Sequence, residues 1–248
     1  MGTIQDFLPV AVKAARLSGD YLFKHRAAAK TIDTQKAHDL KLSIDRFAEK
    51  RIVQYLRKYS SFAILSEEAG MLKGKTQEFY WVVDPLDGTI NYFHQIPLCC
   101  VSIALCQGTF PVLGVIYDFT RNELFTGLAD QGAYLNGRRI GVSQNKHKRQ
   151  AVLATGFPGQ TSLSAANLSA FCRYVRMYKK VRLLGTAALS MAYVAAGRLD
   201  AYTEKDIMFW DIAAGMAIVQ AAGGEIHFEP TGRTHGYHIH AHNGFLRN

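Results

Sequence analysis

Two aspartates that directly follow an apolar segment are the strongest chemical signal in the sequence. The segment 81–83 is typical of the end of a buried strand. We expect the strand to stop at Asp84, because Pro85 cannot donate to a sheet ladder. Asp87 lies in the turn that follows, and the Thr89 hydroxyl can cap the first N–H groups of a short helix. Carboxylates bind hard cations and a helix N-terminus binds phosphate. The arrangement therefore predicts metal-assisted phosphate chemistry.

The spacing of these aspartates separates the turn from another phosphatase motif. Haloacid-dehalogenase-type phosphatases also place aspartates and a Gly-Thr pair after a strand, but their aspartates are two positions apart and one attacks the substrate. Asp84 and Asp87 are three positions apart, with a proline between them. Two metal ligands on a tight turn fit this spacing better than an attacking aspartate and its partner. The structural alternative is an acidic loop that only caps a helix.

Further carboxylates stand at the ends of other predicted elements. Glu67 and Glu68 come just after the apolar strand segment 62–65, which repeats the pattern of the aspartate turn. Asp211 opens a predicted helix, and Asp45 lies in the first turn of another, where a carboxylate suits the helix dipole. Loop solvation or helix capping would explain each one singly. Beside the aspartate turn, we interpret them as parts of one site.

The elements that must position these side chains change character along the chain. Predicted helices cover 5–25, 43–58, 163–178, 186–197 and 210–222. Predicted strands cover 62–65, 99–106, 112–118, 123–127 and 199–203, with others near Val152, Val181 and Ile226. Residues 70–78, with two glycines and two lysines, are predicted to form a mobile loop.

This order of elements predicts one α/β layered catalytic unit over 1–248, because no linker divides the chain. The change near residue 145 is the best internal boundary. It separates subregion 1–145, with N-terminal helices and a mostly antiparallel sheet, from an α/β subregion at 146–248.

Composition excludes several classes of protein. The chain has 248 residues, of which 48% are hydrophobic, enough for a large core in one or two domains. No apolar run is long enough to span a bilayer and no signal peptide is recognisable, so we expect a cytoplasmic protein with no membrane partner. No Walker A loop, dinucleotide-binding glycine motif or Gly-x-Ser-x-Gly elbow occurs. Buried free thiols are expected for the four cysteines, which are Cys99, Cys100, Cys106 and Cys172.

Charged and histidine-rich segments leave two questions open. The net charge is +9, with basic runs at 146–149 and 173–182 that could attract an anionic substrate or nucleic acid, although a solvated face is commoner. His235 stands near the end of the chain, where His238, His240 and His242 alternate with two apolar residues. A surface metal site is one interpretation. We favour a strand whose Ile239 and Ala241 face the core.

Three segments together resemble the inositol monophosphatase family of magnesium-dependent, lithium-sensitive phosphomonoesterases. They are Ser66-Glu67-Glu68, the turn Asp84-Pro85-Leu86-Asp87-Gly88-Thr89, and Trp210-Asp211 with Ala213-Ala214-Gly215. The set is highly specific, because each segment stands at the expected element end and in the expected order. The similarity extends over nearly the whole chain, through Val115–Asp118, Asn136-Gly137 and Gly185–Ala188. It implies a five-layer αβαβα sandwich of the inositol monophosphatase and fructose-1,6-bisphosphatase type, usually a homodimer.

The resemblance also implies a ligand set for two or three Mg²⁺ ions. Ligands of the first ion would be Glu67, Asp84 and the Leu86 carbonyl. Ligands of the second would be Asp84, Asp87 and Asp211, and Glu67 would also hold a weaker third ion.

Catalytic and substrate residues follow from the same resemblance. Asp45 and Thr89 match the pair that orients and deprotonates the attacking water, and Glu68 is a further catalytic candidate. Substrate-binding candidates are the Gly88 and Thr89 backbone N–H groups for phosphate, Gly185, Thr186 and Ala187 for the ring, and Glu204 and Asp211 for hydroxyls. Lys36 is a further candidate near the metal site.

The predicted reaction is Mg²⁺-dependent hydrolysis of a phosphate monoester by an activated water, with myo-inositol 1-phosphate as the favoured substrate. Fructose 1,6-bisphosphate is the close alternative, because Leu42 stands where many family members carry threonine. A 3′-phosphoadenosine phosphatase is less favoured, because such relatives carry a Tyr-Pro-Arg type segment where this chain has Tyr202-Thr203-Glu204. A basic nucleic-acid-binding regulatory protein is the alternative from another class.

Overall fold

The computed structural model describes residues 3–27, 32–36, 39–156 and 164–247, with the backbone alone at 32–36, 39–42, 76 and 77. Its helices are α1 (Leu8–His25), α2 (Ser43–Tyr59), α3 (Thr89–Phe93), α4 (Ala165–Val175), α5 (Ala187–Ala195) and α6 (Phe209–Ala221). Strands of the first half are β1 (Ile32–Lys36), β2 (Asp39–Leu42), β3 (Phe62–Ser66), β4 (Gly70–Leu72), β5 (Thr76–Asp87), β6 (Cys100–Gln107), β7 (Phe110–Asp118), β8 (Glu123–Leu128), β9 (Gly132–Leu135) and β10 (Arg138–Ile140). Strands of the second half are β11 (Val152–Thr155), β12 (Lys180–Arg182), β13 (Ala201–Met208), β14 (Glu225–Pro230) and β15 (Gly236–His242).

Two large sheets organise these elements. The first has eight strands in the order β10-β9-β8-β7-β6-β5-β3-β4 and is antiparallel except where β3 pairs with β5. The second has five strands in the order β12-β11-β13-β15-β14, with β11 parallel to both of its neighbours. Strands β1 and β2 form a separate antiparallel pair. The first sheet ends at Ile140 and the second begins at Val152.

The helices arrange the two sheets into five layers. Helices α1 and α2 cover the outer face of the eight-stranded sheet, and α5 and α6 lie between the two sheets. Helix α4 packs on the outer face of the five-stranded sheet through Tyr174 and Val175. The structure therefore confirms the αβαβα sandwich that the resemblance implied.

Strand β5 shows how alternation of side chains builds the two larger cores. Trp81 and Val83 point to the side covered by α1 and α2, whereas Val82 joins the core around α5 and α6. All three side chains are buried. The Trp81 indole N–H donates to the Ser60 hydroxyl at 2.8 Å, so the one polar atom of the ring has a partner. An apolar run without polar alternation is what a strand covered on both faces requires.

Away from the carboxylate turn, three expectations from the sequence need correction. The predicted loop at 70–78 contains β4 and the start of β5, since an edge strand that pairs with β3 needs little apolar character. Strand β13 extends to Met208, beyond the predicted end at 203. Cys172 is exposed, although the other three cysteines are buried free thiols as predicted. Within the described part of the chain, the helices lack either the length or the apolar character needed to cross a membrane.

Candidate active site

Strand β5 carries both aspartates of the turn. The sequence predicts that the strand stops at Asp84, before Pro85, and this prediction is wrong. The strand runs to Asp87, and its pairing with β6 shifts register between Asp84 and Asp87. Proline is tolerated at such a bulge because its missing N–H falls outside the regular ladder. A bulge also changes the direction in which side chains point. The two carboxylates therefore owe their placement to an irregularity inside the strand.

Asp84 closes the turn on itself. Its Oδ1 accepts a hydrogen bond from the Leu86 backbone N–H at 2.9 Å, and only 1% of the residue is exposed. An aspartate that binds the N–H two residues ahead stabilises a tight turn. Because this bond engages Oδ1, the buried carboxylate has a fixed orientation before any ligand arrives.

Asp87 is held by the N-terminus of α5. Its Oδ2 accepts from the Thr186 hydroxyl at 2.5 Å and from the Ala188 N–H at 2.7 Å. The Thr186 hydroxyl in turn accepts from the Leu189 N–H at 3.3 Å and so caps the helix. Sequence reasoning missed this positioning role of Thr186. Its predicted contact with a substrate ring stays a prediction.

The start of α3 differs from the prediction. Gly88 is the N-cap, with a φ of 89° that favours glycine, and the Thr89 hydroxyl does not cap the helix. It donates instead to the Leu86 carbonyl at 3.0 Å. A hydroxyl has one proton, so Thr89 as it stands does not donate to Asp45. The resemblance implies that Thr89 and Asp45 together deprotonate the attacking water. That role requires the Thr89 hydroxyl to turn toward Asp45 when substrate and water bind.

Glu67 and Asp211 reach the same cleft from two other elements. Glu67 directly follows β3, and its backbone N–H donates to the Val83 carbonyl at 3.2 Å, next to Asp84 in β5. Asp211 stands in the first turn of α6, where its Oδ2 accepts from the Met208 N–H at 3.3 Å. The two elements that carry these carboxylates belong to opposite halves of the chain.

Burial and mutual repulsion dominate the electrostatics of this carboxylate group. Burial, and then the charges of Glu67, Asp87 and Asp211, raise the pKa of Asp84 well above its usual range. Burial and the charges of Glu67, Asp87 and Glu204 do the same for Asp211. Burial raises the pKa of Asp87 to about 6 despite its hydrogen bonds. A hard cation would relieve this repulsion, and carboxylate oxygens are the donors that Mg²⁺ prefers.

A cleft of about 270 Å³ opens over these carboxylates. Its lining contains most of the predicted site residues, which are Glu67, Asp84, Leu86, Asp87, Gly88, Thr89, Gly185, Thr186, Ala187, Glu204 and Asp211. It also contains Thr155, Gly156, Ser190, Tyr202 and Ile207, which sequence reasoning missed. These five carry no motif of their own. The pairing of β11 with β13 sets Thr155 opposite Thr203, next to Glu204, and Gly156 follows at the end of β11.

Glu204 lies in the part of the cleft wall that the second sheet provides. The Tyr202 hydroxyl donates to its Oε2 at 2.8 Å. Burial, with a smaller contribution from the charge of Asp87, raises the pKa of Glu204 to about 7, although the Tyr202 bond lowers it. A β-carbon built on Gly156 would lie 2.2 Å from the same Oε2, so the carboxylate lies directly against this glycine. The absence of a side chain at position 156 is what gives Glu204 its place.

Two predicted site residues with described side chains, Asp45 and Glu68, lie outside the lining of the cleft. Asp45 is buried in the first turn of α2, close enough to Tyr92 that its charge helps to raise the pKa of that phenol after the larger effect of burial. Glu68 points its backbone N–H at Glu49 of α2, at 3.2 Å from Oε1. The backbone of Lys36 belongs to β1, but its side chain lies outside the described residues.

Asn91 is another residue that sequence reasoning missed. Its side-chain amide donates to the carbonyls of Leu98 and Leu184, each at 2.8 Å. These bonds tie α3 to the segment that precedes Gly185 in the cleft wall. The contact spans more than ninety positions along the chain, so no local pattern could have indicated it.

The C-terminal histidines follow the favoured interpretation. His238, His240 and His242 lie on β15, with Ile239 and Ala241 buried in the core as predicted. His242 instead meets Glu225 and His227 of β14, within 4.8 Å between their ligand atoms. The Gly244 N–H donates to His242 Nδ1 at 3.0 Å, which places the proton of the neutral ring on Nε2, facing Glu225. These three side chains have the donor types and the spacing that a metal ion could use, so this cluster is where the alternative surface metal site would lie.

The two basic runs come together at one edge of the second sheet. The Lys179 N–H donates to the Lys148 carbonyl at 3.2 Å, which joins the segment before β11 to the segment before β12. Most of the basic side chains on these runs are exposed, namely Lys146, Arg149, Arg173, Arg176, Lys179, Lys180 and Arg182. The result is a positively charged surface, which we call the basic edge.

Comparison with known proteins decides the family. The model of the inositol monophosphatase family matches residues 3–243. The chain belongs to this family. Membership supports phosphatase activity and metal binding, and members generally depend on a metal such as Mg²⁺. It leaves the substrate open.

Relatives of this family member carry two kinds of name. A protein of Xylella fastidiosa named Nus factor SuhB is 43% identical over 221 residues, which cover 88% of this chain and 80% of that protein. An inositol-1-monophosphatase of Synechocystis is 38% identical and covers 89% of this chain and 78% of its own length. Among solved structures, the extragenic suppressor protein SuhB of Bartonella henselae has a TM-score of 0.88 at 35% identity, covering 96% of this chain and 94% of its own. Inositol monophosphatase from Anabaena has a TM-score of 0.83 at 36% identity, covering 97% and 92%.

Proposed function

We propose that this protein hydrolyses myo-inositol 1-phosphate with Mg²⁺ and a water molecule as nucleophile. The observation that carries the proposal is the group of four carboxylates, Glu67, Asp84, Asp87 and Asp211, which line one cleft. Bound cations would neutralise the repulsion among these carboxylates, and hard oxygen donors favour Mg²⁺ over softer metals. The Leu86 carbonyl lies in the same lining as a further oxygen donor.

Each part of the site has one task in this reaction. Bound Mg²⁺ would lower the pKa of a water and neutralise charge on the phosphoryl group. The N–H groups of Gly88 and Thr89, at the start of α3, would donate to phosphate oxygens. Thr89 and Asp45 would take the proton of the attacking water and fix its direction. Since water attacks directly, no covalent phosphoenzyme forms.

Glu204 supports a polyol as the leaving group. An ionised carboxylate in the cleft wall that the second sheet forms can accept a hydrogen bond from a substrate hydroxyl. With a pKa of about 7, Glu204 changes between its two protonation states near neutral pH. A cleft of about 270 Å³ has room for a small ring phosphate, which suits an inositol or sugar monophosphate better than a large ester.

A panel of phosphate-release assays tests the proposal. Purified protein with MgCl₂ is given inositol 1-phosphate, fructose 1,6-bisphosphate and adenosine 3′,5′-bisphosphate, each with and without EDTA. The highest kcat/KM is expected for inositol 1-phosphate. A clear preference for either bisphosphate would assign a different substrate, and activity that persists in EDTA would contradict the metal mechanism.

A second candidate function is the binding of nucleic acid at the basic edge. The support is the joining of two basic runs on one surface, together with the name Nus factor carried by several relatives. Electrostatic binding of this kind weakens steeply as salt rises. Fluorescence anisotropy with a labelled RNA over 50–300 mM KCl tests it, with Lys179→Glu plus Lys180→Glu as the variant. Binding that ignores both salt and the charge reversal would exclude it.

The homodimer and the cytoplasmic location remain predictions of ours. Three buried free thiols suit a reducing compartment, where disulfides rarely form. Light scattering of the purified protein at micromolar concentration gives the oligomeric state directly.

A further inference from the structure

We propose that Glu49 is a positioning residue for the metal ligand Glu67, an inference that rests on the proposed metal chemistry of the cleft. Glu49 lies on α2 and is 8% exposed. Its Oε1 accepts from the Ser66 hydroxyl, from the Glu68 N–H at 3.2 Å and from the Ala69 N–H at 3.0 Å. One carboxylate oxygen thus binds the residue before Glu67 and both residues after it.

Glu67 is fixed on its other side by the sheet. Its own N–H donates to the Val83 carbonyl at 3.2 Å, and Val83 precedes Asp84 in β5. The segment 66–69 is therefore held between α2 and β5. Since the Glu67 carboxylate lines the cleft beside Asp84, its distance from Asp84 depends on both attachments.

The chemistry of Glu49 suits positioning more than simple packing. A buried carboxylate is costly unless it is hydrogen-bonded, and this one receives one hydroxyl and two backbone N–H donors from the segment 66–69. An apolar side chain could fill the same space but would remove the acceptor of two N–H groups and a hydroxyl.

Helix α2 then has two tasks at the site. Asp45 and Glu49 are four residues apart and both buried, so they lie on the same face of the helix. One is the proposed partner of the attacking water and the other holds the Glu67 segment. The rigid helix would keep the water and the first metal site in one fixed relation.

The test measures Mg²⁺ binding to metal-free protein by calorimetry, with MgCl₂ alone and no substrate, alongside the Mg²⁺ dependence of phosphate release. Glu49→Ala is expected to weaken Mg²⁺ binding by about 10–100-fold, the usual effect of removing a group that orients a ligand. At saturating Mg²⁺ its kcat should recover most of the wild-type value, because all four carboxylates of the cleft remain. Glu49→Gln keeps an acceptor oxygen and should stay within about threefold of wild type, less than the loss typical of such orienting groups.

Asp200→Ala is the matched control for lost stability. Asp200 is a buried carboxylate that accepts from the Ser143 hydroxyl and the Val152 N–H, each at 2.6 Å. It stands at the start of β11, and the cleft residue Thr155 is at the other end of that strand. The Asp200→Ala variant should have a lower melting temperature and an unchanged Mg²⁺ affinity.

Two results would overturn the proposal. One is an unchanged Mg²⁺ affinity in Glu49→Ala, and the other is an equal loss of affinity in Asp200→Ala. If Glu49→Ala does not fold, Ser66→Ala removes a single donor and must still weaken Mg²⁺ binding measurably. Binding without any ester hydrolysis in the wild type would reject the proposed reaction while leaving the role of Glu49 testable by calorimetry alone.

Discussion

Replacing Gly156 with alanine tests the specificity wall without touching any proposed metal ligand. The new methyl group would lie 2.2 Å from Glu204 Oε2 and 2.5 Å from its Cδ, so the carboxylate must move by about 1 Å or more to restore ordinary contact. Its hydrogen bond from Tyr202 and its aim at a substrate hydroxyl would both be lost. A hydrogen bond to a charged group is worth about 1.5–3 kcal/mol.

The expected loss is therefore roughly 10- to 150-fold in kcat/KM for inositol 1-phosphate. Phenyl phosphate has no hydroxyl for Glu204 to bind, so its kcat/KM should change little. The assay compares both esters at saturating Mg²⁺ in wild type, Gly156→Ala, Glu204→Gln and the double variant. Since the two changes act on one contact, the double variant should lose little more than either single.

The pH dependence of the same experiment adds a second check. Ionised Glu204 accepts hydrogen bonds more strongly, so wild-type preference for the inositol ester should increase as pH rises through about 7. Gly156→Ala should flatten that increase. Equal losses on both esters, or an unchanged preference in Gly156→Ala, would refute the assignment of Glu204 to substrate recognition.

Three further predictions concern the metal and the water. Asp84→Asn should abolish turnover yet raise the melting temperature of metal-free protein, because it removes a buried carboxylate that the charges of Glu67, Asp87 and Asp211 repel; substantial turnover with Mg²⁺ would refute the two-metal assignment. Thr89→Ala and Asp45→Asn should each lower kcat by roughly 10²–10⁴, and the double variant little more, since the two act as one unit. Fully multiplicative losses in stopped phosphate-release assays would separate them. In EDTA the protein should melt at a higher temperature at pH 5 than at pH 8. The pKa values of Asp87 and Glu204 are raised in the folded state, to about 6 and about 7, so the stability from their protonation is lost as pH rises through those values. Saturating Mg²⁺ should reduce this difference, and its persistence would show that other groups cause it.

The sequence was informative where a chemical requirement is local. The pair Asp84 and Asp87, the acidic residue after β3 and the carboxylate that opens α6 all stand at element ends, and the structure brings these four into one cleft. The burial of β5 on both faces and of the two middle-layer helices likewise follows from their nearly continuous apolar sequences.

Other features depend on contacts between distant segments, and these were missed or wrong. Pro85 argued for a strand end, but a bulge lets the strand continue, and bulges have no composition signal of their own. Thr89 has the side chain of a helix cap, yet the cap is Gly88, because that position needs a positive φ. Nothing in the sequence pattern distinguishes Glu49, because one carboxylate among several polar residues is ordinary in an amphipathic helix.

The middle layer limits how this chain can be divided. Helices α5 and α6 are buried along nearly their whole lengths, with one sheet on either side, and both come from the second half of the sequence. A fragment covering 1–145 would therefore expose one apolar sheet face, and a fragment covering 146–248 would expose two apolar helices. Each fragment alone should aggregate, whereas the two made together could fold around a shared interior. Because the cleft takes carboxylates from both fragments, recovery of phosphatase activity would report that reassembly, and the chain could serve as a split enzyme.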